Sequence, residues 1–410
     1  MLTFLRENSR WLGTGFLLTV MASFGQTWFI SLFAGEIRSA HGISDGTWGG
    51  LYTVATLASA ALLFWRGSLA DTIPLGRLAP VICLCFAVSC ATLALAPNIF
   101  VLCLALFGLR FCGQGMFGHI AMTAMGRWFR EYRGRAVSIA GFGHAFGEMI
   151  WPLPAILIAG MAGWKLTWLG IAAFLALVFA PMLMALLATD RVPQGSGAGG
   201  SSGVGIRGRH WERRDVMRHW LFPALLPILL APGFIGTVVF FHQVHIAEIK
   251  GWTLAQMAPG YVVFASVTTV CALIAGWVAD RFGPVNLLPM LLVPMGLGVT
   301  IVLPADAVSG WFLALALIGM TQGMAGALWG TFLPQVYGTK HLGAVRALGT
   351  TVMVVSSAIG PGITGLLINL GYSFPVQAPG MGLWCLLATG LGFWIRARLK
   401  PELISSAQPT

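Results

Sequence analysis

The chain is predicted to be an all-α integral membrane protein, with twelve transmembrane helices arranged as two pseudo-symmetric six-helix bundles. Three observations carry that expectation. Only 9% of the 410 residues are charged while 57% are hydrophobic, and the mean hydropathy is +0.83. A soluble chain carries roughly 25% charged residues, so most of this surface has to face lipid. Apolar runs long enough to cross a bilayer recur along the whole chain. Finally, Gly67-Ser-Leu-Ala-Asp71 returns 209 residues later as Gly276-Trp-Val-Ala-Asp280, each copy closing an apolar run.

A helix needs about 20 apolar residues to cross the hydrocarbon. Twelve stretches qualify, at 11–35, 46–65, 78–97, 99–126, 136–160, 166–189, 220–247, 258–279, 285–304, 309–335, 347–370 and 378–395. Strands of a transmembrane barrel are about ten residues long and alternate strictly, so these are helices. The first run is longer than the apolar region of a signal peptide, and it reads as the first span. Only two spans hold a charge: the fourth has Arg110 and the fifth has Glu148. All seven cysteines lie in apolar segments without zinc-ligand spacing, as small packing residues do.

The formal charge of +11 is distributed too unevenly for a nucleic-acid partner. With a cytoplasmic N-terminus, 20 Lys and Arg fall on the cytoplasmic side and three (Arg38, Lys165, Lys250) on the other. That asymmetry is the positive-inside signature. It predicts a multi-pass protein of the cytoplasmic membrane with both termini cytoplasmic, its basic side against anionic lipid.

Residues 1–189 form the expected N-terminal bundle, and 219–410 the C-terminal bundle with a short cytoplasmic tail. Between them, 190–218 is a linker. It opens on a Gly/Ser-rich run of the kind that behaves as a flexible coil, then turns basic, with Trp211 suited to a short interfacial helix. The halves align beyond the opening motif: Gly113-Gln-Gly-Met-Phe-Gly118 matches Thr321-Gln-Gly-Met-Ala-Gly326, and Arg133-Gly-Arg135 corresponds to the loop ending at Arg346. Two six-helix halves in parallel orientation are the architecture of a rocking secondary transporter.

Six plus six helices, the long linker and the doubled Gly-x-x-x-Asp resemble the major facilitator superfamily over nearly the whole chain. Gly276-Trp-Val-Ala-Asp280-Arg281-Phe-Gly283 matches the family signature well. The first copy departs from it, with Thr-Ile-Pro-Leu between Asp71 and Gly76-Arg77. Arg110-Phe-Cys-Gly-Gln-Gly115 is similar to the family's fourth-helix motif. Less specifically, Tyr337 to Arg346 is similar to the bacterial monocarboxylate and oxalate/formate branches. The resemblance implies a cytoplasmic gate at Gly67, Asp71, Arg77, Arg133, Arg135, Gly276, Asp280, Arg281, Gly283 and Arg346. Each Asp lies at a helix C-terminus, where the helix dipole disfavours an anion, so each needs a partner. Arg133 or Arg135 could serve Asp71; Arg281, Lys340 or Arg346 could serve Asp280. A solvated loop acid is the alternative.

Arg110 sits about eleven residues into its helix, ~17 Å deep at 1.5 Å per residue. An Arg near the midplane is costly unless it faces a wet cavity or a partner. Gln114 lies one turn along, and Glu148 is ~18 Å above the start of the fifth helix, with His144 at i−4. Arg110 is therefore expected to attract an anionic substrate or to fix Glu148. Glu148, with His144, is expected to carry the coupling proton; a purely structural Arg–Glu pair is the alternative. The resemblance implies a cavity lined by the first, fourth, seventh and tenth helices. Gln26, Gln114, Gln322, Trp329 and Tyr261 are its candidate lining, with Gln322 aligned to Gln114. His242, His245 and Glu248 could be drawn as metal ligands, but at the outer end of a helix His242 reads better as a pH-sensitive lining. No metal is expected.

The phosphate-binding G-x-x-x-x-G-K is absent, as are H-E-x-x-H and G-x-S-x-G, so neither an enzyme nor a cofactor is implied. The expected function is secondary active transport of a small organic solute, a carboxylate or other monoanion, by alternating access with proton coupling. A monomer suffices for that. The fifth helix lacks the family's antiporter pattern, which favours uptake. A proton-coupled exporter of drugs or metabolites is the rival. A non-transporting sensor is the rival from another class, although no loop is long enough for a sensory domain.

Overall fold

A computed structural model describes residues 2–67, 69–129, 132–189, 205–301 and 306–407. The side chains of Asp71 and Arg133, both expected in the gate, lie outside the described residues. Among the described residues every regular element is helical. The chain divides into two compact units, Met1–Ala198 and Gly199–Thr410.

Among the described residues ten helices are long and apolar enough to cross a membrane, and two bent pairs, each taken as one span, bring the number to as many as twelve. The first unit holds α1 (Leu5–Gly25 and Thr27–His41), α2 (Asp45–Arg66), α3 (Leu75–Leu95), α4 (Ile99–Trp128), α5 (Gly134–Ile150 and Pro152–Ala162) and α6 (Trp164–Leu186). The second holds α7 (Leu221–Phe241), α8 (Leu254–Phe282), α9 (Pro284–Ile301), α10 (Val308–Tyr337), α11 (Leu342–Asn369) and α12 (Phe374–Leu403).

Local chemistry sets the helix ends. Ser44 caps α2 by accepting from Thr47 N, and Asn98 caps α4 by accepting from Phe100 N and Val101 N. Each thereby satisfies N–H groups that a first turn leaves unpaired. At the other end of α6, Arg10 donates to the carbonyls of Leu186 and Ala185, where a cation also complements the helix dipole. Gly283 ends α8 with φ +84°, a conformation costly for any residue with a Cβ.

Side-chain size separates the inner from the outer face. Phe29 packs edge to face with Trp168 inside the first unit, with Phe33 tilted against both; inside the second, Phe264 meets Phe240 edge-on while Tyr261 stacks on it. The outer faces present Phe64, Phe100, Leu177 and Leu386. Phe100 is 80% exposed. A water-soluble monomer seldom shows so much apolar surface, and lipid removes the penalty.

Three spans break where the sequence predicts one continuous run. The first was expected over 11–35 as one helix; it runs from Leu5 to His41 with a 45° bend at Gln26. The fifth bends by 41° at Trp151, where Pro152 starts a new helical segment. The seventh stops at Phe241, six residues short of expectation, because His242 leaves the helix with φ −95° and ψ 17°. A second helix, Gln243–Lys250, follows it.

The part of the linker from Gly205 to Trp220 packs on the second unit. Trp211 donates its backbone N–H to Tyr337 O and its indole N–H to Ile206 O. Its ring meets those of Tyr337 and His219, and Arg209 lies 4.1 Å above it. The short helix Arg213–Arg218 then leads into Trp220, which packs edge-on against Trp394 of α12.

Candidate functional site

In the first unit the site is built around the break in α1. Residues Ala22–Gly25 tighten into a 3-10 turn and Gln26 is extended, with φ −79° and ψ 151°. A break frees backbone groups that the membrane interior cannot hydrate. Gln26 O takes the N–H groups of Phe29 and Ile30, and Gly25 O is left to a side chain. That side chain is Arg110: its Nη1 donates to Gly25 O at 3.1 Å and to Thr27 Oγ1 at 3.3 Å. Tyr52 from α2 completes the knot. Its hydroxyl donates to Thr27 Oγ1 at 2.7 Å, and its ring lies 5.1 Å below the guanidinium carbon.

Arg110 also begins a π-helical stretch, Arg110–Phe117, inside α4. The two irregular segments face each other. A Cβ on Gly25 would fall 2.3 Å from Leu109 O and 2.7 Å from Gly113 Cα. Only backbone against backbone fits there. π-Bulges of this kind gather at functional sites.

Arg110 is not brought to Glu148. It is buried, its bonds go to the α1 break, and neither residue has an ion-pair partner among the described residues. Equal depth places two residues at one level without saying which way they face. Gln114, also expected beside Arg110, is exposed. Glu148 instead lies beside the Trp28 indole. Its own helix is clamped to α1: Thr19 Oγ1 donates to Ala140 O at 2.6 Å, and a Cβ on Gly147 would fall 2.1 Å from Ser23 Oγ. Gly143 and Gly147 thus let the two helices approach as small residues do in membranes. His144, one turn before Glu148, has Nε2 within 3.5 Å of where a Cβ on Gly118 of α4 would stand. Glu148 and His144 therefore lie where α5 meets both irregular helices.

At the Gly67 end of α2, the partners come from α4. His119 Nε2–H donates to Gly67 O at 2.9 Å and Arg127 Nη1 donates to Ala70 O at 3.3 Å. Neither was a candidate for this end, since a bond to a carbonyl has no sequence signature. Arg77 and Arg135 are exposed, and Arg135 lies over Tyr132. In the second copy Asp280 is exposed without an ion pair among the described residues. Two of its three expected partners point elsewhere: Arg281 stacks over Trp277 and Phe282, and Arg346 donates to Gly330 O.

The second unit repeats the tied break without the cation. Tyr261 OH donates to Gln243 Oε1, just past the interruption of α7, and its ring stacks on Phe240. Tyr261 is therefore a buried tie within this unit. His242 Nε2 lies 2.8 Å from Thr364 Oγ1, whose hydroxyl already donates to Gly360 O. The imidazole N–H is consequently the donor. His245 Nε2 accepts from Phe374 N. Gln322 donates to Pro232 O and fills the space beside Gly236. Trp329 and Arg346, expected in different roles, line one cavity of about 290 Å³ with Tyr337 and Val216.

Comparison with known proteins matches the chain to the family model described as Major Facilitator Superfamily, over residues 15–361 and again over 262–407. No curated protein matches it significantly by sequence. Among solved structures it is similar to a bacterial homologue of the human lysosomal transporter Spinster. With the inward-facing, unoccupied form the TM-score is 0.73 at 15% identity, covering 96% of this chain and 98% of the other. With the inward-facing, occupied form it is 0.71 at 15% identity, covering 94% and 96%. At that identity the likeness speaks for the fold.

Proposed function

The chain belongs to the Major Facilitator Superfamily, and on that premise we propose that it is a proton-coupled carrier of a small organic monoanion. It is a transporter rather than an enzyme. The observation that carries the coupling is Glu148: an acid within a membrane span, without an ion-pair partner among the described residues, at the contact of α5 with the broken α1. An ionisable group held inside a membrane is costly and serves ion or proton pathways. His144, one turn away, is the second titratable group on that face.

Arg110 supports the anionic character of the cargo. Its charge has no acid beside it among the described residues, and its Nε–H has no acceptor. An uncompensated cation at this depth favours a negative solute over a positive one. The same side chain holds the break in α1 together, so arrival of an anion and the geometry of α1 are linked. Exchange between α1 conformations is where substrate and proton would act on one element.

The charge asymmetry supports a cytoplasmic location for both termini, the linker and both Gly-x-x-x-Asp ends. At those ends Gly67, Asp71, Arg77, Arg133 and Arg135 in the first half, with Gly276, Asp280, Arg281, Gly283 and Arg346 in the second, would form the gate. Gln26, Gln114, Gln322 and Trp329 remain the candidate polar lining, and His242 a second proton-responsive position. The carrier would act as a monomer in the cytoplasmic membrane.

Counterflow in proteoliposomes tests the cargo class. Vesicles preloaded with one short carboxylate from a panel should accumulate its labelled form. If no carboxylate or other monoanion exchanges while a cationic drug does, the monoanion reading fails and the exporter reading takes its place.

A further inference from the structure

The cavity beside Trp329 is closed on one side by the linker. Its walls come from the start of α7 (Phe222, Leu225), the end of α10 (Trp329, Leu333, Tyr337), the start of α11 and the linker residue Val216. At about 290 Å³ it sits at the lower end of the ~300–1,000 Å³ range of ligand pockets. Its walls are apolar apart from Thr350, whose hydroxyl already donates to Arg346 O, and two further groups. Tyr337 is 1% exposed, and its hydroxyl has no hydrogen-bond partner among the described residues. Buried hydroxyls are nearly always bonded, and an exception calls for an explanation. Arg346 gives Nη2 to Gly330 O and is otherwise open to solvent. A guanidinium has five N–H donors. Among the described residues no Asp or Glu lines the cavity.

We propose that this cavity binds a small amphipathic carboxylate, with Arg346 as its charged anchor and the Tyr337 hydroxyl as its second donor. A carboxylate accepts both donors at once, as charge-assisted hydrogen bonds. Trp329, Leu225, Leu229 and Met353 then enclose one aromatic or branched apolar body. The absence of an acidic wall rejects a zwitterion, whose ammonium would find no partner. Because Val216 and the Trp211–Tyr337 contact belong to the linker, an occupied cavity also holds the linker against the second unit. The site lies wholly in that unit and does not depend on Glu148 or on proton coupling.

The test is calorimetric titration of the full chain in nanodiscs with 3-phenylpropionate and 3-methylbutanoate. The neutral 3-phenylpropanamide is the comparator. At least one of the two carboxylates should show a saturable component of one site per chain that belongs to this cavity, and the amide should bind there at least about tenfold more weakly than 3-phenylpropionate. Arg346→Gln should weaken carboxylate binding about tenfold or more, and Tyr337→Phe about three- to tenfold. Leu333→Trp, which fills the cavity and keeps both donors, should abolish that component. Thermal melts establish that each variant is folded. Glu148→Gln should bind as the unmodified chain does, so a failure of proton coupling is distinguishable from a failure of this site. Absence of saturable binding by both carboxylates would overturn the proposal. So would affinity unchanged in Arg346→Gln and Leu333→Trp.

Discussion

Tyr52 and Tyr261 stand 209 residues apart, the spacing of the repeated Gly-x-x-x-Asp, and each ties its hydroxyl to the interruption in the first helix of its own half. Tyr52 donates to Thr27 Oγ1 beside the α1 break, and Tyr261 donates to Gln243 Oε1 beside the α7 break. The duplication therefore preserved a tie as well as a fold. The halves differ in what backs it: Arg110 reinforces the first, while 208 residues later the chain has the buried Ile318.

Removing either hydroxyl leaves a buried partner short of a bond, which costs about 1–3 kcal/mol. Tyr52→Phe and Tyr261→Phe should each lower the melting temperature in detergent by a few degrees. Tyr52→Phe should also slow transport more, because Thr27 is shared with Arg110. Equal transport rates in the two variants would count against a special role for the α1 break.

Arg110→Gln should be the more damaging change at that break. It removes the donor to Gly25 O and the stacking over Tyr52, leaving a carbonyl unsatisfied inside the membrane. Size-exclusion profiles should show loss of the folded species. Arg110→Lys, which keeps charge but loses the planar fork, should fold and transport poorly. Full activity in Arg110→Lys would show that the charge alone suffices.

Gly147→Ala tests the α1–α5 contact. The new Cβ would meet Ser23 Oγ at 2.1 Å and Val20 O at 3.0 Å, a clash that overpacks the interface by about 1–3 kcal/mol. Gly141→Ala on the same helix meets only Met122 Cε at 3.6 Å. It should melt within a degree or two of the unmodified chain. Similar stability of the two alanine variants would contradict the close packing.

The twelve spans were readable because a charge deficit this deep leaves no soluble alternative, and duplication showed how they divide. What escaped the sequence has specific causes. The bend at Gln26 follows no proline; it depends on Gly25 meeting Gly113 from a helix over eighty residues away. Arg110 and Glu148 were matched by depth, yet rise per residue carries no information about azimuth, and Arg110 turned to a backbone carbonyl. His119 and Arg127 were missed at the Gly67 end for the same reason, since every residue has a carbonyl. The Tyr52–Tyr261 offset was present in the sequence and identifies the ties once the breaks are known.

Glu148 offers the most direct test of proton-coupled transport. In proteoliposomes bearing a monoanion that the unmodified carrier exchanges, uptake is measured under an imposed proton gradient and, separately, as counterflow without one. Glu148→Gln should lose gradient-driven accumulation while keeping counterflow, because the amide imitates the protonated carboxyl but cannot take up or release a proton. Gradient-driven accumulation at the unmodified level in Glu148→Gln would contradict the account.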